Sequence, residues 1–219
     1  MPPRIPLPRQ RPKKNFAPVA QHVPVPIERS IDFCRIFVDG KRQPGNARVA
    51  QALERVNQHD NAFVWLSLKE PTTTQMERIA ELFDLHDLLV DDVIDAHQRP
   101  KVERYDDQLF LVIRTVYYRD DEEVSDAREI ISTGEVQIVV GPNFAITIRH
   151  NAPLPDLTGQ LEEDEELAIL GPAAVAWKVS DYAVDNHLRV AQALSIDVDD
   201  LENEVFTPRR DINIDKIYM

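Results

Sequence analysis

One cysteine, six glycines and a low aromatic content leave this 219-residue chain without several common devices. A single cysteine excludes an internal disulfide. Cys34 sits in the alternating run Ile31-Asp32-Phe33-Cys34-Arg35-Ile36-Phe37-Val38, which reads as a strand with a buried thiol, and a reducing compartment is the expected setting. No stretch approaches the roughly 20 apolar residues of a membrane helix, and Met1-Pro2-Pro3-Arg4 lacks the apolar core of a signal peptide, so these residues are expected to be soluble. Enzyme signatures are missing too. There is no glycine-rich phosphate loop, no Gly-x-Ser-x-Gly elbow and no His-Glu-x-x-His pair, and Cys34 has no recognisable histidine partner motif.

Positive charge is scarce beyond the first quarter of the chain. Residues 1–50 carry 10 Lys and Arg against 3 Asp and Glu, whereas residues 51–219 carry 15 against 35, a local balance of -20. Such a surface repels phosphate backbones and anionic lipid and attracts cations, which argues against nucleic acid as a partner. Eight of the 16 prolines fall within the first 26 residues, among Arg9, Arg11, Lys13 and Lys14. That composition cannot supply a core, so residues 1–28 are read as a disordered or extended basic tail.

An α/β pattern follows. Strands are expected at Phe33 to Val38 and Phe63 to Leu68, and helices over Ala47 to Val56, after Glu70-Pro71-Thr72, and over about His86 to Ala96. From Lys101 the texture changes to strands at Gln108 to Tyr118, Glu129 to Val140 with a break near Gly134, and Phe144 to Arg149. Gly141-Pro142-Asn143 forms a hairpin turn before the last of these. Leu157 to Leu170 reads as an acidic helix closed by Gly171-Pro172. Hairpins mixed with crossovers indicate a mixed parallel and antiparallel sheet in a layered α/β domain, placed at residues 29–170. Residues 171–219 are read as long helices. Ala173 to Phe206 contains neither glycine nor proline, and Trp177, Asp181, Val184, Leu188, Ala191, Leu194, Val198, Leu201 and Val205 have the spacing of a helix packed along another helix.

Carboxylates are the residues with chemical potential. Asp84, Asp87, Asp91 and Asp95 recur every three or four positions, with Asp92 one step round, and on one helix would form a stripe. The stripe is a solvated face, a contact for a divalent ion or a set of salt bridges to basic partners; oxygen donors without cysteine favour Mg²⁺ or Ca²⁺ over zinc, in a weak and hydrated site. Asp181 breaks an apolar seam and marks either its wet end or part of a site. His86 and His97 flank the acidic helix as helix-end residues or metal assistants, and Glu162 to Glu166 reads as a solvated face.

The segment Leu85-His86-Asp87-Leu88-Leu89-Val90-Asp91-Asp92-Val93, followed by Arg99-Pro100-Lys101-Val102-Glu103-Arg104-Tyr105-Asp106-Asp107-Gln108-Leu109-Phe110, resembles the cytoplasmic domain of CorA-type magnesium and cobalt transport proteins. Val179-Ser180-Asp181-Tyr182-Ala183-Val184-Asp185 and Leu201-Glu202-Asn203-Glu204-Val205-Phe206 are similar to the same family in the same order, so the likeness runs from about Phe63 to Met219. The resemblance implies an α/β/α cytoplasmic domain of a homopentameric membrane channel, with Arg209 to Tyr218 beginning a stalk helix that leads to two membrane helices outside these residues. It implies that Mg²⁺, or Co²⁺ or another divalent cation, is held between neighbouring subunits at Asp92 and Asp91, with Asp181 nearby. The expected role is a non-enzymatic sensor of divalent cations that gates a pore absent from this stretch. Three competing readings are a zinc-transporting relative, a free-standing metal-dependent hydrolase using the aspartate stripe, and a scaffold assembling through the long helix.

Overall fold

A computed structural model describes residues 26–95, 98–118 and 131–206. The expectations for residues 1–25, His97, Glu129 and the stalk-like segment 207–219 fall outside the described residues.

Seven strands form one sheet in the order β2-β1-β3-β7-β6-β5-β4. They are β1 (Ile31–Val38), β2 (Lys41–Arg42), β3 (Ala62–Lys69), β4 (Lys101–Tyr105), β5 (Gln108–Tyr118), β6 (Ile131–Val140) and β7 (Phe144–His150). Among the described residues only β3 and β7 run parallel, with Val64 opposite Phe144 and Lys69 opposite Arg149; the other pairings are antiparallel. Alternation along the strands divides the core in two. One face packs against α1 (Val49–Val56), α2 (Thr73–Phe83) and α3 (Asp87–Ile94) through Val49, Ala52, Val56, Met76, Ile79, Phe83, Leu89 and Val93. The opposite face packs against α4 (Thr158–Glu163), α5 (Glu165–Ala168) and α6 (Pro172–Phe206) through Leu157, Leu161, Ala168, Val175 and Val179. The result is the expected α/β/α arrangement around a mixed sheet.

Side-chain caps start α2, α3 and α5. Thr72 caps α2: its hydroxyl accepts from the Gln75 backbone N–H at 3.4 Å while the Gln75 side chain accepts from the Thr72 N–H at 2.9 Å. The same Gln75 donates to the Pro26 carbonyl at 2.8 Å, tying the turn at Ile27–Arg29 to the helix layer. Burial pushes the Cys34 thiol up to about 12, so it behaves as a small apolar side chain of β1.

Four details differ from the sequence expectations. The β6 strand is unbroken at Gly134, which lies opposite Thr115. Its glycine answers a close approach instead: a Cβ there would stand 2.5 Å from the Asn151 carbonyl oxygen and 2.8 Å from the Ala152 Cα. The acidic segment 157–170 is two short helices, because Asp164 leaves helical geometry and accepts from the Leu167 N–H at 3.0 Å, starting α5 anew. The aspartate stripe does not share one helix. Asp84 terminates α2 in the left-handed region and Asp95 ends α3 in extended backbone, leaving Asp87, Asp91 and Asp92 on α3.

The fourth difference concerns α6, a single 35-residue helix. The seam expected to meet another helix is exposed at Trp177, Val184, Leu188, Val198 and Leu201. The sheet takes a second stripe, Ala174, Val175, Val179, Ala183 and Val190, whose small side chains let the helix axis approach the strands. Gly134→Ala is expected to destabilise the fold by about 1–3 kcal/mol through overpacking against fixed backbone. Gly159→Ala, where a Cβ meets nothing within 4 Å in α4, is expected to be neutral or stabilising by up to about 1 kcal/mol. Urea midpoints of the two variants check both outcomes.

Candidate metal site

Helix α3 is anchored over the sheet by Leu89 and Val93, and burying each contributes roughly 1.5–3 kcal/mol. His86 is its N-cap, with Nδ1 accepting from the Leu88 N–H at 3.2 Å. That settles His86 as a helix-end residue, further held by its backbone N–H donating to Gln108 Oε1 at 3.1 Å. At the other end, Gln98 Nε2 donates to the carbonyls of Asp92 and Asp95, closing the last turn.

The strand period of two then builds a polar cluster at the edge of the sheet. Along β4, Lys101, Glu103 and Tyr105 share the face turned toward α3, while Val102 and Arg104 point away. Lys101 Nζ lies 2.9 Å from Asp92 Oδ1 and 3.0 Å from Glu103 Oε2. The Tyr105 hydroxyl bonds to Asp92 Oδ2 and, at 2.7 Å, to Glu103 Oε2. The ammonium also sits 5.4 Å from the centroid of the buried Phe110 ring. Lys101, Glu103 and Tyr105 belong to the run that carries the family resemblance but were not assigned to the site from the sequence, although their i, i+2, i+4 spacing next to an acidic helix was a readable signal.

Burial by itself would push the Asp92 carboxyl up; hydrogen bonds from Tyr105 and Lys101 and the Lys101 charge outweigh it and hold it below the usual carboxylate range. Burial likewise works against the charged Lys101, but bonds to Asp92 and Glu103 raise its pKa overall. The Tyr105 hydroxyl is raised well above its ordinary value, first by its bond to Asp92 and then by its bond to Glu103.

Asp91, one step round the helix, is exposed and makes no ion pair among the described residues. Asp181 is on α6, with half-exposed side chain and Oδ2 3.8 Å from Lys178 Nζ. Since α3 and α6 cover opposite faces of the sheet, one copy of the chain does not bring Asp181 to Asp91 and Asp92. Among the described residues, no group of three or more His, Cys, Asp or Glu could hold a metal ion. The donor chemistry nonetheless fits a hydrated hard cation: carboxylate oxygens, with Asp91 open and Asp92 half-buried beside it. Glu162, in the run read as a solvated face, pairs with Arg42 at 3.0 Å.

A depressed Asp92 pKa means that its contribution to stability is fully present above the ordinary value of 3.8 and is lost as pH falls through the folded value. Raised Lys101 and Tyr105 values place the alkaline loss above their ordinary values of 10.5 and 10.0. Asp92→Asn is therefore expected to lower stability at pH 7 and to lose that deficit as pH falls below 3.8 and through the folded value. Denaturant unfolding of wild type and variant from pH 2 to 8 measures the convergence.

A family model described as CorA-like Mg²⁺ transporter protein matches residues 60–219. YfjQ of Bacillus subtilis (strain 168), a metal ion transporter by name, is 26% identical over 174 residues, covering 73% of this chain and 51% of that protein. The chain thus spans about half the length of that relative. Among solved structures, the full-length CmaX protein superposes with a TM-score of 0.63 at 13% identity over 85% of this chain and 56% of that one. The soluble domain of CorA from Methanocaldococcus jannaschii gives 0.56 at 14% identity, over 80% and 65%. Those two likenesses concern the fold alone. No helix among the described residues is long and apolar enough to cross a membrane. With most of its length inside the family model and its mixed sheet and long α6 matching the soluble domain, this chain belongs to the CorA-like Mg²⁺ transporter family.

Proposed function

We propose that this chain is the cytoplasmic, cation-sensing part of a magnesium or cobalt transporter that works as a homopentamer, with the membrane-spanning segments outside these residues. The reading is non-enzymatic: the acidic domain binds a divalent cation at Asp91 and Asp92, and its occupancy governs a pore elsewhere in the protein. The observation that carries it is the placement of carboxylates on two opposite outer faces of one domain, Asp91 and Asp92 on α3 and Asp181 on α6. Only a neighbouring copy can present the second face to the first, so a site using both sets lies between subunits.

Electrostatics supplies the mechanism. Subunits with a balance of -20 beyond residue 50 repel one another when brought face to face. Carboxylates paired across a boundary keep that repulsion until a divalent charge offsets it, and a ligand bound only in the closed arrangement shifts the equilibrium by its differential affinity. Falling cation concentration then frees the subunits to separate.

In the full-length protein, Asp92→Ala is expected to move the magnesium concentration that protects against protease upward by roughly 5- to 150-fold, the range of ordinary coupling energies. Limited proteolysis across a MgCl₂ titration reads this directly; unchanged protection and unchanged ion flux would sink the proposal.

A further inference from the structure

Asp92 already has a cation. The Lys101 ammonium stands between Asp92 Oδ1 and Glu103 Oε2 at 2.9 and 3.0 Å, and the Tyr105 hydroxyl bonds to the other Asp92 oxygen, Oδ2, and to the same Glu103 Oε2. Its side chain is only 23% exposed and runs over the Phe110 ring, so this is not a lysine free in solvent. The backbone beneath it is pinned by the ladder to β5, with Lys101 opposite Val112 and Glu103 opposite Phe110. Two carboxylates, a hydroxyl and one cation thus make a closed set between α3 and a rigid strand, and Asp91 beside it stays outside.

We propose that Lys101 is a built-in competitor at Asp92: its ammonium occupies the position a divalent cation needs, and the cation must displace it. This rests on the reading that Asp92 contributes to divalent-cation binding. A group tethered by a short side chain competes as if present at millimolar concentration or above, so it sets how much divalent cation is required before Asp92 is released. Displacement is favoured at high cation concentration because two carboxylates gain a doubly charged partner, while the freed ammonium swings to water on its flexible stem. Lys101 is thereby the residue that tunes the threshold of the sensor, and Glu103 and Tyr105 are positioning residues that hold the ammonium and the Asp92 carboxylate in register.

The test uses the full-length protein, in which the site between subunits can form, with MgCl₂ as the probe and NaCl at matched ionic strength as the reference. In wild type, labelling of Lys101 by an amine-reactive reagent, read by mass spectrometry, is expected to rise with MgCl₂ and not with NaCl. Asp92→Asn is expected to leave Lys101 labelled throughout. Lys101→Met is expected to melt below wild type in NaCl and to be restored by MgCl₂ with a midpoint about tenfold lower than that of wild type. Lys101→Gln, which keeps a hydrogen-bond donor without the charge, serves if the methionine variant does not fold. Lys101 labelling indifferent to MgCl₂, or a magnesium midpoint unmoved or absent in both lysine variants, overturns the inference. The sensing role is judged separately by proteolysis of full-length Asp92→Ala: loss of protection there with flat lysine results removes only the competitor, and no effect in either removes the sensor as well.

Discussion

The parallel contact between β3 and β7 holds the molecule together. Residues Ala62 to Leu68 of β3 are all buried, and their register against β7 runs without interruption from Val64 to Lys69. On one side lie β1 and β2; on the other lies the antiparallel run β7-β6-β5-β4. Without the central pair these would be two small sheets with open edges, each presenting unpaired backbone groups. Joined, they give a surface wide enough for helices on both faces, and both halves of the core rest on it: Val64, Leu66 and Leu68 on one face, Phe63 and Trp65 on the other. The Trp65 indole N–H finds the Thr147 hydroxyl of β7 at 3.2 Å, so the junction leaves that buried donor satisfied.

That junction also dictates where charge is displayed. The helix before β4 lands on one face and the helix after β7 on the other, which separates the α3 carboxylates from Asp181 by the thickness of the sheet. Carboxylates so divided cannot cooperate within one copy, which is the ground for proposing a site between copies. At the outer edge, β4 adds a lysine, a glutamate and a tyrosine opposite Asp92. Isolated surface ion pairs contribute little, but a half-buried network in which one ammonium and one hydroxyl each contact the same two carboxylates is ordered by its own geometry.

Much of this was legible in the chain. Alternation found β1, β3, β5 and β7, the Gly-Pro-Asn turn joined β6 to β7, and the long stretch without glycine or proline became one helix because nothing in it interrupts the backbone ladder. The errors have physical causes. Gly134 looked like a strand break because glycine weakens strands, whereas the neighbouring backbone at Asn151 demands the missing Cβ. The aspartate spacing was helical, yet Asp84 tolerates the left-handed conformation and ends α2 there. On α6 two apolar stripes compete, and spacing does not tell which one the sheet will take.

The alternation of helix and strand, the acidic character beyond the basic N-terminal segment, the isolation of Cys34 from disulfide chemistry and the clustering of carboxylates before β4 are all readable along the chain, because they depend on residue type and local period. That β3 meets β7, that Lys101 reaches Asp92 and that Asp181 faces away from both emerge with the folded arrangement. Those relations join residues far apart in the chain, and they follow from which surfaces the shared sheet buries, a choice made by packing as a whole.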